Sequence, residues 1–220
     1  MAQIAEDLFL LLIDNASAQP ELDSSRREKV LSAAVLLDLA HACRIRPAVA
    51  GEAVEGGRLV ALSVPGPMDP IVAPAFELLQ RKPLRPETAV KQLSKHVEQN
   101  VTNWLEYTGQ IHRVRLHSKG FGHQYAWPLM NRDRVSHARS AMLAALFDRR
   151  PPAPSTAAII SLLHAVDGLG SLLSLNDRGW RWVHGRAGEI AMGSWVEESV
   201  TALPEVNLAV TASAVRAALS

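Results

Sequence analysis

Three helical segments in this chain are so apolar that they have to lie inside a folded body, and that demand constrains the rest. Ile4 to Asp14, "IAEDLFLLLID", reads as a short, deeply buried helix. Arg26 to Cys43 carries Val30, Ala33, Ala34, Leu37 and Ala40 at steps of three and four, the spacing of one helical face. Thr156 to Leu175 reads as a third, very apolar helix. A bilayer-spanning helix needs about 20 predominantly apolar residues. The run from Leu8 to Ile13 falls far short of that, and no other segment reaches it. Any membrane contact therefore has to be made from outside the hydrocarbon.

The remaining segments are shorter and well punctuated. Ser24 or Ser25 is placed to cap the second helix, with Glu28 as the answering residue of a capping box. Two short apolar runs flank Glu55-Gly56-Gly57, a hairpin signal. Pro74 suits a first helical turn, which predicts a helix from Ala73 to Gln80. Thr88 to Thr108 reads as one or two helices stopping at Gly109. Strands follow from Gln110 to Leu116 and on to Trp127, joined by His117-Ser118-Lys119-Gly120 and closed by Pro128. Arg132 to Asp148 reads as a helix, "NDRGWRWVHGR" as a loop or helix start, and helices at 186–203 and 207–219 complete the chain. Short loops and the lack of any repeat favour one domain over residues 1–220. The expected class is mainly α: a compact single-domain helical fold with one or two small β-hairpins.

Charge and cysteine content narrow the function. Lys and Arg number 23 against 22 Asp and Glu, a net charge of +1. That balance offers no global grip on nucleic acid, although a local basic patch is compatible with it. Cys43 is the only cysteine, so no internal disulfide forms and a cytosolic setting is expected. It sits in an apolar helical pattern and reads as a buried, inert thiol. Glu6 and Asp7 precede the first apolar run with no Lys or Arg before it, the reverse of a secretory signal.

Chemical motifs are sparse. "GRAGEIAMG" has glycines but neither a preceding strand nor a Lys-Ser/Thr pair, so it is no phosphate loop. There is no Gly-x-Ser-x-Gly elbow. Asp38 with His41, and His164 with Asp167, share helix faces and could meet as metal ligands, but such pairs are more often hydrogen-bonded structural groups. No enzymatic activity, cofactor or metal is expected. The helices of 88–108 followed by a hairpin also fit a winged-helix DNA-binding regulator, the alternative reading. Its recognition helix would be Val97 to Thr108, which has Gln99, Asn100 and Asn103 but also Glu98 and Glu106, and no cation. Two carboxylates facing phosphates oppose binding, so nucleic acid is not the favoured partner.

The stretch "RVRLHSKGFGHQYAWPL" (113–129) is the strongest functional signal. From Gln110 to Arg139 there are six Lys or Arg and one acid, Asp133. Arg113, Arg115 and Lys119 stand among Phe121, Tyr125 and Trp127. Aromatic rings settle at headgroup depth, and each nearby cation adds about 1 kcal/mol toward an anionic membrane. Burial against the core is the competing fate of the rings and is favoured for Trp127, next to Pro128. Phe121, between Gly120 and Gly122, is the ring best placed for exposure. The hairpin's edge could also pair with a second subunit. Trp180 and Trp182, alternating with Arg178, Arg181 and Arg186, form a second candidate surface.

Four segments in this order and spacing resemble the Golgi phosphoprotein 3-like family, including its bacterial members: "IAEDLFLLLID", "VLSAAVLLDLAHACRI", "GPMDPIVAPAFELL" and "AIISLLHAVDGL". The resemblance covers nearly the whole chain. It implies a mostly helical domain and a peripheral, cytoplasmic adaptor that binds an anionic phospholipid headgroup, phosphatidylinositol 4-phosphate in eukaryotic members. It also implies protein tails as partners and a hairpin for membrane contact and self-association. The family's headgroup positions fall at Asp23, Ser32, Lys95 and Glu98, of which only Lys95 keeps a cation. Arg26, Arg27 and Lys29 lie nearby as substitutes, against the plainer reading of a solvated helix start.

Overall fold

The computed structural model describes residues 3–116, 124–197 and 202–219. Among these are ten α-helices and two two-stranded antiparallel sheets. The centre is α1 (Gln3–Leu12) against α2 (Ser24–His41). Every residue of α1 from Ile4 to Leu12 is buried, as is α2 from Val30 to Ala40. A helix apolar on all sides is stable only when surrounded. The surrounding is supplied by α5 (Val97–Tyr107), α6 (Arg132–Phe147), α7 (Pro154–Ala165) and α10 (Leu203–Ala217). The buried apolar side chains form one connected cluster from Ile4 to Leu219.

Two buried carboxylates and Asp38 tie α1 in place. Asp38, on α2, accepts the amide protons of Ile4 at 2.9 Å and Ala5 at 3.0 Å. These amides are among the four that a helix start leaves without an internal partner. A side chain 33 residues further along the sequence than Ala5 thus caps α1. The α2 cap differs from expectation. Asp23, not Ser24 or Ser25, accepts from the Arg26 amide, at 3.0 Å, so Ser24 already lies in the helix. Cys43 is past the end of α2 rather than inside it. It takes a left-handed φ of 53° and is half-buried, while Arg44 donates back to Leu39 at 2.8 Å to close the turn.

The first hairpin pairs β1 (Ile45–Pro47) with β2 (Leu59–Ala61), and Gly57 supplies the positive φ of its turn, 81°. Helix α3 (Ala73–Arg81) follows with Pro74 in its first turn. The segment before the second hairpin divides into α4 (Pro86–Leu93) and α5, which Gly109 ends at φ 70°. The strands after it, β3 (Val114–Leu116) and β4 (Gln124–Ala126), are shorter than expected. The pairing resumes beyond them through an Ile111–Leu129 bridge and His112 donating to Pro128 at 3.0 Å.

The C-terminal third corrects three expected boundaries. The apolar helix ends at Ala165, ten residues early, because Asp167 turns left-handed (φ 52°) and Gly168 donates to Leu163 at 2.7 Å. The segment read as a loop or helix start opens α8 (Asp177–Ala191), capped by Asn176, whose side chain accepts from Gly179 at 2.9 Å. The expected helix at 186–203 is instead broken at Gly193 (φ 91°), with a short α9 (Ser194–Glu197) beyond it. Both signals are ordinary, an Asn cap and a glycine stop.

Candidate anionic-lipid surface

The α2 start and the α4–α5 turn come together. The Ser32 hydroxyl lies 3.2 Å from that of Ser94. Arg27 reaches across with two parallel bonds to Glu98, 3.0 and 2.9 Å, a charge-assisted fork. It also donates to the Leu22 carbonyl. Arg26 folds onto Asp23, which lowers the Asp23 pKa, and reaches the carbonyls of Val166 and Asp167 at 3.3 Å. Lys29 is exposed one turn before Ser32, and Lys95 is exposed next to Ser94. Of the four expected headgroup cations, then, Arg26 and Arg27 are engaged by acids and carbonyls, and Lys29 and Lys95 are exposed.

The hairpin is organised by its pleat. Alternate residues of a strand share a face, and Arg115 pairs with Tyr125 in register. Arg113, Arg115, Tyr125 and Trp127 therefore lie on one face. The Arg113 guanidinium lies 5.6 Å from the Tyr125 ring centre and 5.0 Å from that of Trp127, a cation–π arrangement. It also donates to Asn103 at 2.6 Å and pairs with Glu106 at 3.2 Å. Trp127 is buried, and its amide donates to Ala18 at 2.6 Å. It belongs to the core and drops out of the expected membrane-contact set. Tyr125 and Arg115 are exposed. Lys119 and Phe121 lie outside the described residues.

Two apolar side chains at the hairpin base were not singled out from sequence. Tyr107, at the end of α5, is 82 % exposed and leans on Trp104. Met130 is 64 % exposed, just past Pro128, where its amide donates to Gln110. Their one sequence cue is position, a large apolar residue beside a helix-ending glycine or a strand-ending proline. The second expected surface divides. Arg186 is buried, donating to the Ala145 carbonyl and Glu189, while Trp182 is exposed with Arg149 over its ring at 5.6 Å.

The suggested metal pairs do not converge. Asp38 caps α1 and His164 stacks against His184. Among the described residues no group of three or more His, Cys, Asp or Glu could hold a metal ion. No helix among them is long and apolar enough to cross a membrane.

The family model of Golgi phosphoprotein 3 (GPP34) matches residues 4–206. The chain belongs to the Golgi phosphoprotein 3 family. No curated protein matches it. Membership accounts for the helical core and for the hairpin that follows a glycine-ended helix. The three positions without a cation that the resemblance had assigned to a headgroup are all bonded to neighbours: Asp23 to Arg26, Ser32 to Ser94 and Glu98 to Arg27.

Proposed function

We propose that this protein is a non-enzymatic peripheral adaptor that attaches reversibly to anionic phospholipid surfaces from the cytoplasmic side. The observation that carries the reading is the shared hairpin face of exposed Arg115 and Tyr125, with exposed Tyr107 and Met130 at its base. Cations supply attraction to the surface, and the rings and thioether supply shallow seating. Lys29 and Lys95 are the headgroup contacts, for a phosphoinositide such as phosphatidylinositol 4-phosphate. The two-stranded ladder leaves an edge for a second copy, and protein tails are further partners.

Sedimentation with phosphatidylserine vesicles at low and high salt tests the hairpin. Arg115→Glu removes one cation and adds one anion, about 2 kcal/mol, and should weaken binding about thirtyfold. Unchanged sedimentation would take the hairpin out of the contact. Retention of duplex DNA under the same salt, with no vesicle binding, would instead favour the winged-helix reading.

The α2–α5 contact has its own test. Glu98→Gln removes the acid and releases the Arg27 fork. Binding to vesicles doped with phosphatidylinositol 4-phosphate should rise about fivefold, as expected for about 1 kcal/mol of added attraction. A fall, with circular dichroism unchanged, would mean that the Arg27–Glu98 pair serves only to join α2 to α5.

A further inference from the structure

A cavity of about 500 Å³ opens beside the C-terminal ends of α7, α8 and α10. It is within the size range of small-molecule sites. Most of its lining is small or apolar, including Ala165, Gly188, Met192 and Ser213. Its two basic lining groups are His164 and Arg216. A bond to the Ala191 carbonyl fixes the Arg216 guanidinium. Nδ1 of His164 is buried without a hydrogen-bond partner. The ring proton is therefore best placed on Nε2, where it makes a donor. Gly188 keeps the space beside Nε2 open, since even a Cβ there would lie 3.8 Å away. His184 stacks on His164 at 5.6 Å, and Trp180 backs His184 at 5.4 Å. The groups that act electrostatically on His164 are His184 on α8, Arg216 on α10 and a single acid, Asp167, just past α7.

The side of α10 that brings Ser213 to the cavity also carries an exposed apolar stripe. Ser213 lies three residues after Val210, and Val210 four after Val206, so all three share one side of α10. Val210 is 55 % exposed and Val206 40 %, although nonpolar side chains at these positions would gain from cover.

We propose that this cavity binds a small monocarboxylate with an apolar body, its carboxylate on Arg216 and His164 and its chain along the Val206–Val210 side of α10. Arg216 is the one permanent positive charge in the lining, which matches a singly charged anion. A doubly charged phosphate wants several directed donors, and Arg216 already gives one N–H to Ala191. The stripe selects the apolar body over a bare anion such as acetate. The site shares no lining residue with the hairpin face or with Lys29 and Lys95, so vesicle binding does not depend on it.

Decanoate, below its micellar concentration, is the probe. Calorimetry should give saturable one-to-one binding, at least about tenfold tighter than decanol, which lacks the charge, or acetate, which lacks the chain. Burial, His184 and Arg216 hold the His164 pKa below the ordinary histidine value. A bound carboxylate adds a negative charge that outweighs the repulsion from His184 and Arg216, so the His164 ring-proton titration followed by NMR should move up by about one pH unit. Arg216→Gln should weaken decanoate about tenfold. Because Arg216 also anchors Ala191, Gly188→Leu serves as the second variant. It fills the cavity while improving helix propensity, and should abolish binding at an unchanged melting temperature. Failure of decanoate to saturate, equal binding by acetate or decanol, or normal decanoate binding by Gly188→Leu would each overturn the proposal.

Discussion

Replacing Arg134 with methionine should destabilise the protein by about 3–5 kcal/mol, because it leaves two nearly buried carboxylates without a counter-charge. Arg134, on α6, bonds Glu6 at 2.7 Å and Asp7 at 2.7 Å, and Glu6 also accepts from the Trp104 indole at 3.1 Å. The side chains of Glu6 and Asp7 are only 9 % and 11 % exposed. Burial works against the guanidinium's charge, but the two carboxylates outweigh it and hold its pKa above the usual arginine value. For a chain of this size the loss corresponds to a fall of about 10–15 °C in melting temperature. Arg134→Lys keeps the charge but not the fork, and should fall between the two. A change below about 1 kcal/mol for Arg134→Met would place the pair among weak surface contacts. Thermal and urea unfolding both read the effect.

Asp38→Ala should cost about 2–4 kcal/mol, since the Ile4 and Ala5 amides would be left buried and unpaired. Its pH behaviour has a distinct sign. Burial pushes the Asp38 carboxyl up to about 8, against the two amides that favour its ionised form. The folded state then holds a proton that the unfolded chain, titrating near the ordinary aspartate value of 3.8, has released. Stability from this group is fully present below that unfolded value and is lost as pH rises through about 8. Melting temperature should therefore decline between pH 5.5 and 8.5 (about the upper part of that window). The decline should be smaller in Asp38→Asn, which cannot ionise. Equal pH slopes for the two proteins would show that Asp38 is ionised throughout.

These two anchors explain which features were legible beforehand. Helix spacing is a local property, so the three apolar helices, the Gly57 turn and the Gly109 stop could be read from neighbouring residues. Glu6, Asp7 and Asp38 also stood out as acids within apolar helices, but their partners are distant in sequence. Arg134 lies 128 residues from Glu6, and no spacing rule connects them. The Asn176 cap and the Gly193 stop are equally local, and the expected loop and the unbroken 186–203 helix overlooked them. In the candidate site, proximity to Pro128 favoured a buried Trp127, whereas the common face of Arg113, Arg115 and Tyr125 follows from the observed strand register. What no local rule could supply was that Glu98 occupies Arg27 and Glu106 occupies Arg113.

The amino-acid order alone determined that this chain is a mainly helical body, because apolar periodicity and its interruptions act between residues a few places apart. Tertiary structure alone decided which cations remain available to a ligand. Whether an arginine faces water or a carboxylate depends on how helices far apart in sequence are packed, and an ion pair across that packing cancels a charge that composition still counts.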